Sequence, residues 1–166
     1  VKQTKFEYDL DDKRKEIQDK ANVLKKADKT DQAFAANPTD YDGAVEKYTA
    51  LKNDARELEE PKALVAELTR RINDIEAKRE KEVVEKIPVL EFKVDTELYK
   101  KDFSAALALC DNAPEDIFPS HLKKSPKAQD ELNSLKKKIK EAETAHIQKH
   151  KQWQVYDEKT NRNRGR

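Results

Sequence analysis

Ser125–Thr160 reads SPKAQDELNSLKKKIKEAETAHIQKHKQWQVYDEKT, and its apolar rhythm decides the fold class. Ala128, Leu132, Leu135, Ile139, Ala142, His146, Lys149 and Trp153 recur at alternating steps of four and three. That spacing lines one face of an α-helix and is the seam of a coiled coil. Ser125 ahead of Pro126 is a start signal, a hydroxyl cap followed by a residue suited to the first helical turn. Asp130 and Glu131 then lie near the positive end of the helix dipole.

Working outward, prolines at 38, 61, 88, 114, 119 and 126 punctuate the chain and predict helices between them, because proline disrupts a helix interior. A first helix is predicted from about Phe6 to Ala36, striped by Phe6, Leu10, Ile17, Ala21 and Leu24. A second follows Pro38, with Thr39 as N-cap and Asp42 three residues on as a variant capping box. Its stripe is Tyr41, Ala44, Val45, Tyr48, Leu51, Ala55 and Leu58. A third starts at Pro61 with Leu64, Leu68, Ile72 and Ile75, ahead of the charged stretch AKREKEVVEK at 77–86.

From Pro88 the residues Leu90, Phe92 and Val94 alternate as a strand would, yet Val89, Phe92, Thr96, Tyr99, Phe103, Ala106 and Cys110 step by three and four. A lone strand has nothing to pair with, so 88–113 reads as a fourth helix, broken near Lys100-Lys101-Asp102. Only two glycines, Gly43 and Gly165, are present. That scarcity disfavours β turns and glycine-rich phosphate loops. Charged residues make up 42% of the chain, against about 25% in an average domain. Hydrophobic residues are 36%, so each helix buries a narrow stripe and exposes a broad charged face. The expectation is an all-α fold, an antiparallel helical bundle or short α-solenoid of about five helices. It forms one domain over 1–160, with a disordered tail at 161–166.

The chain also echoes itself. Asp40-Tyr41 followed by Ala44-Val45 returns as Asp102-Phe103 followed by Ala106-Leu107, each ahead of a proline-led helix. A duplicated hairpin, near 10–86 and 88–155, accounts for this, as does the general likeness of amphipathic helices. The stretches TDYDGAVEKYTAL and KKDFSAALALCDNA resemble the second helix of a tetratricopeptide repeat. In that family an aromatic is followed by a small residue three positions on and an aromatic or apolar residue four further. Tyr41, Ala44 and Tyr48 match, as do Phe103, Ala106 and Cys110. The resemblance covers about a quarter of the chain. It implies α-hairpin packing and a non-enzymatic scaffold that holds peptides or partner domains. The offset between the two stretches exceeds the family's repeat of about 34 residues.

Residue chemistry points away from catalysis. His146 and His150 share one helix face, but the zinc-protease helix needs Glu directly after its first histidine and this chain has Ile147. They read as two solvent-edge histidines, and His121 lies in a loop with no cysteine near it. Cys110, the only cysteine, falls on a buried stripe and reads as a small hydrophobe. The 34 carboxylates scatter along helix faces, where they pair with lysine at i,i+4. No enzyme, metal, cofactor or small-molecule substrate is expected.

Charge distribution says more. Residues 120–166 hold 13 Lys plus Arg against 6 Asp plus Glu, a balance of +7, while the rest of the chain holds 22 against 28, a balance of −6. Lys136, Lys137, Lys138 and Lys140 form the densest cluster, and Trp153 and Tyr156 stand ready to anchor a partner. A protein partner is the leading expectation. A nucleic acid or anionic membrane surface met through the basic last helix is the alternative, and a dimerising coiled coil the third. No apolar run approaches the ~20 residues of a membrane span, and the absence of an initiator Met marks a processed chain or a fragment.

Overall fold

The computed structural model describes residues 5–164 in backbone and the side chains of 7–154 and Tyr156. The side chain of Phe6 in the predicted first stripe, and Gly165 and Arg166 of the predicted tail, therefore lie outside what is described. The described residues form an all-α fold of five helices and one short 3-10 turn. These are α1 (Lys5–Ala36), α2 (Tyr41–Arg56), α3 (Lys62–Lys100), α4 (Phe103–Asn112), the turn Ser120–Leu122, and α5 (Pro126–Arg164).

The chain divides into two compact units, Val1–Lys81 and Glu82–Arg166. Each half carries enough apolar stripe for its own core. In the first unit α2 buries Tyr41, Ala44, Tyr48, Leu51 and Ala55 of the stripe predicted for it, while Val45 is half-buried and Leu58 lies half-buried beyond the helix end. On α1 the buried face is Val23, Ala27, Thr30 and Phe34, whereas Leu10, Ile17 and Leu24 are exposed, contrary to expectation. Both sets have helical spacing, and packing decides between them. Tyr48 of α2 reaches this face of α1, its hydroxyl donating to the Ala27 carbonyl at 3.3 Å and to the Asp31 carboxylate.

The N-cap of α2 is Asp40, not Thr39. The Asp40 carboxylate accepts the Gly43 N–H at 3.0 Å, while the Thr39 hydroxyl turns back to Asn37 Oδ1 at 3.1 Å. With Tyr41 as the first helical residue, only the side chain immediately before it reaches the third N–H.

Pro88 does not start a helix; it lies inside α3, which runs unbroken from Lys62 to Lys100. An interior proline removes one backbone hydrogen bond and costs about 3 kcal/mol. Against that, Val83, Ile87, Leu90 and Val94 are buried at unbroken helical spacing across it, at about 1.5–3 kcal/mol each. Burial wins. Pro88 and Val84 lie on the exposed side, where water can serve the Val84 carbonyl.

The break near Lys100-Lys101-Asp102 is where it is expected. Asp102 N–H donates to Glu97 O at 3.0 Å and Lys101 N–H to Leu98 O at 3.1 Å, the paired bonds of a Schellman stop. Lys101 takes the left-handed conformation there, φ 65°. Asp102 then caps α4, accepting the Ala105 N–H at 2.9 Å.

In the second unit the 114–125 loop contributes Phe118 and Leu122 to the core. Ser125 caps α5 as predicted, its hydroxyl accepting the Ala128 N–H at 3.0 Å. The α5 seam is buried through Ala128, Leu132, Leu135 and Ile139. Ala142 and His146 are half-buried, and Lys149 is exposed. The helical backbone continues through 161–164, part of the stretch expected to be disordered. Nothing between Pro126 and Gly165 breaks a helix, since neither glycine nor proline occurs there.

Candidate functional site

Polar networks in the first unit are the natural place to look for chemistry. Arg71 on α3 holds Asp31 at 2.6 Å and Asp28 at 3.1 Å on α1, and its Nε holds Glu67 at 2.9 Å. Glu67, gripped by Arg70 and then Arg71, is drawn down to about 2. Burial pushes the Tyr48 hydroxyl up to about 12, helped by its bond to the Asp31 carboxylate. Arg79 is 4% exposed, paired with Asp42 at 2.9 Å and with Glu76, and lies 5.7 Å from the Tyr41 ring centre. Burial works against its charge, and the two carboxylates more than offset that, so its pKa rises. Neither Tyr48 nor these arginines exchange protons near neutral pH. Their role is to tie α1, α2 and the first half of α3 together.

Arg79 escapes a reading based on apolar periodicity, although 75, 79 and 83 continue one stripe of α3. Its position on that stripe is the only signal.

In the second unit the imidazoles of His146 and His150 lie with ring centres 4.6 Å apart, and His146 sits 5.6 Å from the Phe103 ring at the start of α4. Among the described residues no group of three or more His, Cys, Asp or Glu side chains could hold a metal ion. Cys110 is buried, and burial pushes its thiol up, away from the nucleophilic thiolate. His121 Nε2 lies 3.2 Å from Glu82 Oε1, tying the 114–125 loop to α3.

The lysine cluster divides in two. Lys136 reaches Asp111 on α4 at 2.6 Å, and Lys138 reaches Asp95 on α3 at 2.6 Å. These two hold neighbouring helices against the seam. Lys137, near Glu141 at 4.0 Å, and Lys140 line a shallow open depression on α5 together with Lys136, Thr144 and Gln148. Of the four lysines adjacent in sequence, Lys138 thus stands apart from the other three.

Trp153 and Tyr156 are 62% and 65% exposed. The contact between Phe103 and His146 places the start of α4 beside the middle of α5, and α5 continues for more than four further turns. Lys149, Gln152, Trp153 and Tyr156 flank a depression on this distal half. Trp153 lies two heptads beyond Ile139, so the stripe that is core proximally becomes surface distally.

Periodicity also misplaces Val89, Phe92 and Tyr99. They are exposed, Phe92 at 70% and Tyr99 at 87%, because α3 carries a second stripe opposite Val83, Ile87, Leu90 and Val94. Only a helix read straight through Pro88 reveals the better stripe. No helix among the described residues is long and apolar enough to cross a membrane. The chain matches no known family model, no curated protein and no solved structure.

Proposed function

We propose that the chain is a non-enzymatic protein-interaction module whose partner docks on the distal half of α5. The observation that carries this reading is the exposure of Trp153 on the stripe that buries Leu135 and Ile139 about five and four helical turns earlier. Large aromatics on a preformed helix lose little entropy on docking and dominate binding energy where they are desolvated. The pairing of Lys136 and Lys138 within the fold weighs against the alternative, a nucleic-acid or acidic-lipid surface built on the lysine cluster. Counterion release needs lysines whose charge is not already matched.

The test compares two double variants, Trp153→Ala/Tyr156→Ala and Lys137→Glu/Lys140→Glu. Binding is measured to proteins of the native extract, to nucleic acid and to anionic vesicles, at low salt and at about 0.3 M, where screening is strong. Loss of a salt-resistant protein partner in the aromatic variant alone supports the proposal. Loss of the tightest binding in the lysine variant, with steep salt dependence, refutes it in favour of the anionic-surface reading. Concentration-dependent self-association abolished by the aromatic substitutions refutes it in favour of a dimerising coiled coil.

A further inference from the structure

The covered half of α5 shows what kind of surface this helix accepts. There the seam residues Leu135 and Ile139 are buried, and the lysines flanking them are matched by aspartates on the neighbouring helices, Lys138 with Asp95 and Lys136 with Asp111, each at 2.6 Å. Apolar seam, flanking lysine and a facing aspartate from a neighbouring helix recur in both contacts.

The distal half continues the first two of these. His146, Lys149, Trp153 and Tyr156 extend the four–three register beyond Ile139 and Ala142. Lys149 lies eleven residues beyond Lys138, about three helical turns, and so falls on nearly the same flank. From Thr144 to Tyr156 there is no carboxylate at all, and the charges are those of Lys149 and Lys151 beside His146 and His150. Among the described residues no aspartate or glutamate is paired with Lys149 or Lys151 as Asp95 and Asp111 are with Lys138 and Lys136.

We infer that the partner presents an acidic amphipathic α-helix, its apolar face on Trp153 and Tyr156 and its carboxylates opposite Lys149 and Lys151; this rests on the interaction-module reading above. A second copy of α5 is a poor occupant. Self-pairing along this face sets lysine and histidine against lysine and histidine, and like charges across a helical seam are unfavourable. An acidic helix turns the same charges into complementary steering and register.

Trp153 is the only tryptophan in the chain, so its emission reports docking directly. The experiment titrates the full chain with a labelled designed helix of about three heptads, leucine on one face and glutamate on both flanks. Controls are the same peptide with lysine for glutamate, a scrambled acidic peptide, and phosphatidylserine vesicles. Expected are a blue shift of Trp153 and saturable anisotropy with the glutamate helix only. Affinity should weaken at least about tenfold in Trp153→Ala, and about tenfold in Lys149→Glu.

Equal or tighter binding of the lysine helix overturns the inference while leaving a docking surface in place. Binding of neither peptide also overturns it, and if the extract partner is still lost on Trp153→Ala, the interaction-module proposal survives. A Trp153 shift with vesicles and not with peptides overturns both.

Discussion

Two substitutions on one stripe of α5 should behave in opposite ways. Ile139 is 0% exposed beside Leu132 and Leu135, whereas Trp153, two heptads on, is 62% exposed. Ile139→Ala removes buried carbon and leaves a cavity under α3 and α4, a loss of about 2–5 kcal/mol. For a unit of this size each kcal/mol lowers Tm by roughly 4–8 °C, so the loss is large in any melt. Trp153→Ala removes a bigger side chain but little buried surface, and should stay within about 0.5 kcal/mol. Urea unfolding followed by helical circular dichroism measures both, and the urea midpoint should fall in the first variant and hold in the second. If Trp153→Ala costs as much as Ile139→Ala, the distal half of α5 is packed in the isolated chain and is not a docking surface. If Ile139→Ala costs under about 1 kcal/mol, the seam is not core.

The remaining predictions concern backbone and pH. Pro88→Ala should raise stability by about 1–3 kcal/mol, since it restores a hydrogen bond inside α3 and only part of the gain is returned through a freer unfolded chain; a loss would mean the proline shapes a bend that packing needs. Asp40→Ala and Asp102→Ala should each cost about 1 kcal/mol in urea unfolding, the price of an N-cap, and no loss at either would refute its capping role. Tyr48 is held protonated, its value raised from 10 to about 12. Its contribution is therefore full below pH 10 and lost as pH climbs toward 12, at most about 2–3 kcal/mol. Tyr48→Phe should flatten that part of the alkaline limb, and an unchanged limb would show that the hydroxyl is not so held.

Helix content was legible from periodicity alone, because stripes such as Tyr41–Ala55 and Ala128–Ile139 have one dominant face. The errors came where two faces competed. On α1 the larger residues Leu10, Ile17 and Leu24 suggested the core, yet the buried face passes through Ala27 and Thr30. That face is the one Tyr48 of the opposing helix reaches, through Ala27 and Asp31, a property of the pair that neither helix shows alone. On α3, Pro88 was read locally as a start, and only the summed burial of Val83 to Val94 shows why the helix runs through it. The lysine cluster failed for a third reason. Sequence adjacency spreads side chains around a helix, so Lys138 turns to Asp95 while Lys136, Lys137 and Lys140 line one depression.

The two short helices are built alike, and this bears on the distal half of α5. Each begins with an aspartate N-cap, Asp40 or Asp102, that accepts the N–H three residues on. Each follows it with an aromatic, Tyr41 or Phe103, and then buries an alanine, Ala44 or Ala106. The long helix α3 is buried along both its halves, through Leu64, Leu68 and Ile75 and then Val83, Ile87, Leu90 and Val94. Among the described side chains of α5, full burial stops at Ile139 and half-burial at His146, although the register of its seam runs on through Trp153 and Tyr156. A chain this poor in apolar residues gains nothing in its own stability from an exposed tryptophan in register with a core stripe. On the proposed reading the gain arises when another helix completes the packing, and the absence of carboxylates from Thr144 to Tyr156 favours a partner helix that carries them.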